Sequence, residues 1–171
     1  MPLGDPMKLH LRTSYDADPD DVAAAYADPA LYAELGDLPK LGGAEVVDHS
    51  MAGDVVLLAV RWRFTGELSS AVTAVVDRRR LTWIQEDEHH LDRREVRWRL
   101  LPDHYADRLQ ASGTYRFVAA NGGGAERATE GEVKVRMPLV GGRVEAALVS
   151  GLDEHLASEV PIVEGWIADQ R

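Results

Sequence analysis

GGRVEAALVSGLDEHLASEVPIVEGWIA, residues 141–168, carries the period of an amphipathic helix. At 100° per residue, Val144, Leu148, Leu152, His155, Glu159, Ile162 and Trp166 fall on one stripe. At 1.5 Å of rise per residue such a helix is about 40 Å long, enough to cross a whole small domain. Pro161 lies inside the pattern and removes one backbone hydrogen bond, which predicts a kink there. Upstream, Pro138 ends the preceding segment, and Gly141-Gly142 permit a sharp turn into the helix.

Before residue 138 the period is mostly two. Residues 7–15 alternate Leu9, Leu11, Thr13 and Tyr15 against Lys8, His10, Arg12 and Ser14, which predicts a half-buried strand. Asp18-Pro19 then starts a short helix over 22–27, and Asp28-Pro29 starts a second helical turn that Gly36 stops. Residues 38–43 read as loop. Strands follow at 44–51 and 55–65, joined by a turn at Ala52-Gly53-Asp54. The second is the clearest in the chain: Val56, Leu58, Val60, Trp62 and Phe64 share one face. Ser69-Ser70 cap a short helix reaching Val76. A further hairpin spans 81–89 and 93–101. The last two strands, 106–119 and 126–137, are joined by Asn121-Gly122-Gly123-Gly124.

Each strand is polar on one face, so the other face must be covered, and only the C-terminal helix is long enough to do it. The predicted architecture is α+β: a curved antiparallel sheet of six or seven strands around that helix, with two short helices after the first strand. No repeat or linker divides residues 1–171, so one domain is expected. A curved sheet seldom packs flush against a straight helix, and the gap between them is a site type that takes small molecules.

This order of elements resembles the helix-grip fold of the START-like, or SRPBCC, superfamily, which includes polyketide cyclases, lipid-transfer domains and plant hormone receptors. The tail is similar to an actinobacterial family known only as a domain of unknown function. The matching residues are 131–136 (GEVKVR), 138–142 (PLVGG), Val144-Glu145, Gly151-Leu152, His155, Glu159 and Trp166. The resemblance implies the fold, and function argued from a fold alone is analogy.

His155 and Glu159 stand one helical turn apart, mid-stripe, where aliphatic residues belong. Such a pair orients a ligand hydroxyl or serves as a general base, or it is a self-satisfied polar pair within the core. Leu148 and Leu152 on the same stripe, with Trp62, Trp83, Trp98, Tyr115 and Phe117 on the sheet, are the candidate walls of a pocket. Tyr15 and Thr13 offer hydroxyls on the same face. Arg94 shares parity with Val96 and Trp98, and is either a carboxylate anchor for a guest or a strand-end residue reaching solvent.

Glu86-Asp87-Glu88-His89-His90 suggests a metal only superficially, because consecutive strand residues point to opposite faces. A solvated hairpin end is the reading adopted. Walker, dinucleotide, nucleophile-elbow and zincin motifs are absent, so no cofactor and no metal are expected. With no cysteine in 171 residues, neither disulfides nor thiolate metal sites can form.

A formal net charge of −10 argues against general nucleic-acid or anionic-membrane binding. The cluster Arg78-Arg79-Arg80 reads as a solvated turn. Residues 1–8 lack a signal-peptide pattern, and the longest purely apolar run, 55–60, is too short to span a bilayer. A cytoplasmic protein is expected. Three functions remain open: binding or transport of a small hydrophobic molecule, a cyclase- or hydrolase-type enzyme using His155 and Glu159, and a regulatory interaction domain. Oligomeric state is not readable from these features.

Overall fold

The computed structural model describes residues 4–38 and 40–171. The readings at 1–8 and 38–43 therefore lie partly outside the described residues. Seven strands form one antiparallel sheet: β1 (Met7–Tyr15), β2 (Leu41–Ala52), β3 (Val55–Phe64), β4 (Thr82–His90), β5 (Glu95–Pro102), β6 (Leu109–Ala119) and β7 (Ala125–Val135). Their spatial order is β1-β7-β6-β5-β4-β3-β2. Strands β2 to β6 each pair with the next in sequence. β1 pairs with β7, Met7 opposite Val133 and Tyr15 opposite Ala125.

β1 and β2 are thus the two edges, and the chain between them must cross one end of the sheet. Helix α1 (Pro19–Tyr26) and a short 3-10 helix, Pro29–Ala33, make that crossing. Each begins with an aspartate that accepts a backbone N–H two residues on: Asp18 from Asp20 at 2.8 Å, Asp28 from Ala30 at 2.9 Å. A further short helix, α2 (Ser70–Thr73), is capped by Ser69, as expected, but ends before Val76.

The long helix α3 (Gly141–Asp169) lies on the inner face of the sheet. Two carboxylates fasten it. Glu145 Oε2 accepts the Val135 N–H at 3.1 Å, tying the first turns of α3 to the end of β7. Glu164 Oε1 accepts the N–H groups of Asp16 and Ala17, tying the last turns to the end of β1. The helix runs unbroken through Pro161, whose side chain is exposed.

Val144, His155 and Glu159 are buried as the helical period predicts, and Leu148 and Leu152 are half-buried. Beyond Glu159 the buried line runs through Val163 and Ile167, with Ile162 and Trp166 flanking it. Steps of four residues advance the line by about 40° each around the helix.

Strand boundaries differ from expectation where backbone irregularity hides the alternation. β2 begins at Leu41, and its register slips between Gly42 and Glu45 and again between Val46 and Asp48. β5 begins only at Glu95, because Arg94 sits in the β4–β5 turn with φ +52. Arg94 is therefore not on the inner face. Its side chain pairs with Asp20 of α1 at 3.7 Å and is not in the cavity lining, which removes it from the candidate pocket.

On the inner face β3 alternates as read: Val56, Leu58, Val60, Trp62 and Phe64 are all buried. At the centre of the sheet Gly113 and Gly131 face each other across β6 and β7, and Trp98 pairs with Gly113 from β5. A Cβ on Gly131 would stand 2.5 Å from Trp98 Cζ2 and would also meet the Ser112 carbonyl. The missing side chain is the space the indole occupies. Gly131→Ala is expected to cost about 1–3 kcal/mol through overpacking, measurable as a lowered urea midpoint with unchanged m-value. An unchanged midpoint would mean that the indole has room to move aside.

Candidate functional site

Between the sheet and α3 lies a cavity of about 60 Å³. One ordered water needs roughly 10–15 Å³ of such space, so the gap exceeds a packing defect. Eleven of its fourteen lining residues are apolar: Leu9, Leu41, Trp83, Trp98, Leu100, Leu109, Ala111, Val133, Leu148, Val149 and Leu152. The three polar ones are Gln85, Arg127 and Thr129. Of the residues expected to line a pocket, Leu148, Leu152, Trp83 and Trp98 do so. His155, Glu159, Trp62, Tyr115 and Phe117 are not in the lining; they are buried in the packed core nearby.

That core is built on aromatic rings. Tyr26 from α1 stacks on Phe117 with centroids 5.5 Å apart, and Tyr115 meets Phe117 edge-on at 5.6 Å. Arg127 joins this block to the cavity. Its guanidinium carbon lies 3.7 Å from the Tyr115 ring centroid and 5.0 Å from that of Tyr26, a double cation–π contact. Nε donates to Thr129 Oγ1 at 3.2 Å. Burial opposes the guanidinium's charge. The surrounding tyrosines and Glu159 outweigh it, and Arg127 stays protonated.

A hydrogen-bonded chain runs through the same block. The Tyr15 and Tyr26 hydroxyls lie 2.8 Å apart, and Tyr26 donates to Glu159 Oε2 at 2.8 Å. Burial drives the Tyr15 phenol up to about 12 and Tyr26 well above its ordinary value, so both remain hydroxyl donors at neutral pH. His155 Nε2 stands 2.7 Å from Glu159 Oε1. The contact is off the line of a ring N–H, and neither His155 nitrogen has an aligned hydrogen bond among the described residues. The ring stands edge-on to Trp62, centroids 5.0 Å apart. Burial alone would raise the Glu159 carboxyl. His155, Arg127 and Tyr26 outweigh that effect and hold it below its usual range.

A second polar group comes from β4. Gln85 Nε2 donates to both Asp87 oxygens, at 3.0 and 3.2 Å, and Tyr115 donates to Oδ2 at 3.4 Å. Asp87 and His89 are 4% and 1% exposed, which corrects the reading of this stretch as a solvated hairpin end. Period two places them inward with Trp83 and Gln85, while Glu86 and Glu88 take the opposite face. Burial pushes the Asp87 carboxyl up to about 6 and the His89 imidazole down to about 3.

Residues 10–167 match a family described as "Protein of unknown function (DUF2505)". The chain belongs to this family. No curated protein matches it in sequence. Several solved structures share its fold. TTHA0849 from Thermus thermophilus superposes with a TM-score of 0.65 at 16% identity, covering 96% of this chain and 99% of that one. The Zhui aromatase/cyclase from Streptomyces sp. R1128 gives 0.65 at 15% identity, over 97% and 96%. Norcoclaurine synthase from Thalictrum flavum, in complex with dopamine and hydroxybenzaldehyde, gives 0.64 at 16% identity, over 98% and 89%. At such identities the likeness is one of fold: this DUF2505 member has the helix-grip fold.

Arg127 is the residue sequence reasoning missed in this DUF2505 chain. The signal was present, since period two carried back from Val133 through Gly131 and Thr129 points Arg127 inward. A lone arginine is an uncommon core residue, and its sign of charge masked the pattern.

The buried groups also set a pH profile. Asp87 has a raised folded value, so its stabilising contribution is complete below about 3.8 and is lost as pH rises through about 6. Glu159 and His89 have lowered values and act oppositely. The Glu159 contribution is lost as pH falls below 4.5, and that of His89 as pH falls from about 6.5 toward 3. Asp87→Asn removes only the first effect. The stability of Asp87→Asn relative to wild type is expected to improve by on the order of 2 kcal/mol between pH 4 and pH 7.5, read from urea midpoints at both pH values. A difference independent of pH would show that Asp87 does not titrate in this range.

Proposed function

We propose that this protein binds a small, largely apolar molecule, such as a lipid or polyketide, in the space between the sheet and α3. The observation that carries this reading is the cavity itself. It lies where the helix and the curved sheet part, and its lining is apolar apart from three polar side chains. Trp83, Trp98, Leu148 and Leu152 form its walls. Trp62, Tyr115, Phe117, His155 and Glu159 are assigned a supporting role, holding Arg127 and the helix in position. No helix among the described residues is long and apolar enough to cross a membrane. A cytoplasmic setting fits the cysteine-free composition.

A cyclase- or hydrolase-type activity through His155 and Glu159 has less support, because neither residue is in the cavity lining. The fold neighbours include an aromatase/cyclase and a synthase, but fold alone does not transfer chemistry.

The test is binding of the neutral fluorescent probe N-phenyl-1-naphthylamine to the wild-type protein and to Leu152→Trp, which fills the cavity from α3. At least a tenfold loss of affinity is expected in the variant, with the far-UV spectrum unchanged. Equal affinity in both proteins would place the probe elsewhere and remove the support for this site. Native mass spectrometry of gently purified protein gives an independent check, a retained apolar molecule being the expected result.

A further inference from the structure

We infer that the guest carries an anionic oxygen head, a carboxylate or an acidic enolate, and that Arg127 is its anchor. This rests on the reading of the sheet–helix space as a binding site, and it names the class of molecule held there. Arg127 is 95% removed from solvent, since only 5% of its surface is exposed, yet it belongs to the cavity lining. Its Nε donates to Thr129 Oγ1, and the guanidinium also lies against the Tyr15 hydroxyl. No carboxylate oxygen among the described residues lies within ion-pairing distance of it: their ion pairs leave Arg127 out.

The two nearby acids have their own partners. Glu159 accepts from Tyr26 and lies 2.7 Å from His155 Nε2, and Asp87 accepts from Gln85 and Tyr115. The guanidinium is thus a buried cation with no carboxylate paired to it among the described residues, in the lining of an otherwise largely apolar chamber. Stacking on Tyr115 fixes the plane of the fork, and the Thr129 bond fixes its rotation. A planar fork held in that way matches the two oxygens of a carboxylate or of a β-dicarbonyl enolate.

Basic groups also lie beside the cavity. A neighbouring crevice of about 20 Å³ shares Trp83, Leu109 and Leu148 with it and is lined by Arg80, His104 and Arg108. The nearby acids Asp77 and Asp103 are paired with Arg79 and Arg61. Basic groups so placed on a chain of net charge −10 favour an anion over a cation beside the cavity.

The experiment compares 2-naphthoate with 2-naphthalenemethanol by isothermal titration at pH 7.5 and low salt. The two probes share a ring system and differ in the charge of the head. Wild-type protein is expected to bind the acid at least tenfold more tightly. Arg127→Met should abolish that preference, and Arg127→Lys should retain part of it. Equal affinity of the wild-type protein for both probes would overturn the inference and leave the binding reading intact. Failure to bind either probe would overturn both. Should Arg127→Met not fold, the wild-type ratio alone decides.

Discussion

One helix must cover the inner face of seven strands, and it cannot cover all of it. The rest of the molecule answers that mismatch. At the end of the sheet crossed by the chain between β1 and β2, α1 and the Pro29–Ala33 turn bring in Tyr26 and Tyr32, and the aromatic block closes there. Where the rings of α1 do not reach, the chamber bounded by Leu148, Leu152, Trp83 and Trp98 remains. The carboxylates of Glu145 and Glu164 hold α3 against backbone N–H groups near both its ends. The gap is therefore set by the fixed seating of the helix rather than by loose packing.

The polar interior follows from the same geometry. A cation on the inner face of β7 needs compensation that the cavity's aliphatic walls cannot supply. Tyrosine faces, a threonine hydroxyl and two carboxylates at a distance supply it. Each acid is in turn held by phenol, amide or imidazole groups. Removing one partner would leave a buried charge or donor unsatisfied, which makes this network costly to alter piecemeal.

Much of the architecture was legible in the residues. The alternation of Val56 to Phe64, the turn at Gly53-Asp54 and the helical stripe around His155 each follow from a single strong period. The interior chemistry was harder to read because charge was taken as a mark of the outer face. Asp87, His89 and Arg127 obey the same alternation as their apolar neighbours, and only their side-chain type hid it. Arg94 failed in the opposite sense. Its parity with Val96 and Trp98 was correct on paper, but a positive-φ turn position starts the strand only after it, at Glu95, and turns its side chain to Asp20. Tyr26 lies on an eight-residue helix whose inward direction depends on contacts with α3 and β6, which no local period encodes.

The pairing of β1 with β7 has a consequence for how the chain assembles. Leu9 meets Gly131 across more than a hundred intervening residues, while the hairpins from β2 to β7 join near neighbours. During synthesis the meander has its partners to hand as it emerges, whereas the first strand waits with an unpaired edge until the seventh is made. Closing that long loop carries an entropic cost that the local hairpins do not face. The last segment to appear, α3, is also the one that covers the inner face and ties down the turn after β1 through Glu164. Pairing of the first strand and seating of α3 are thus coupled through Glu164, and without them the inner apolar face is uncovered.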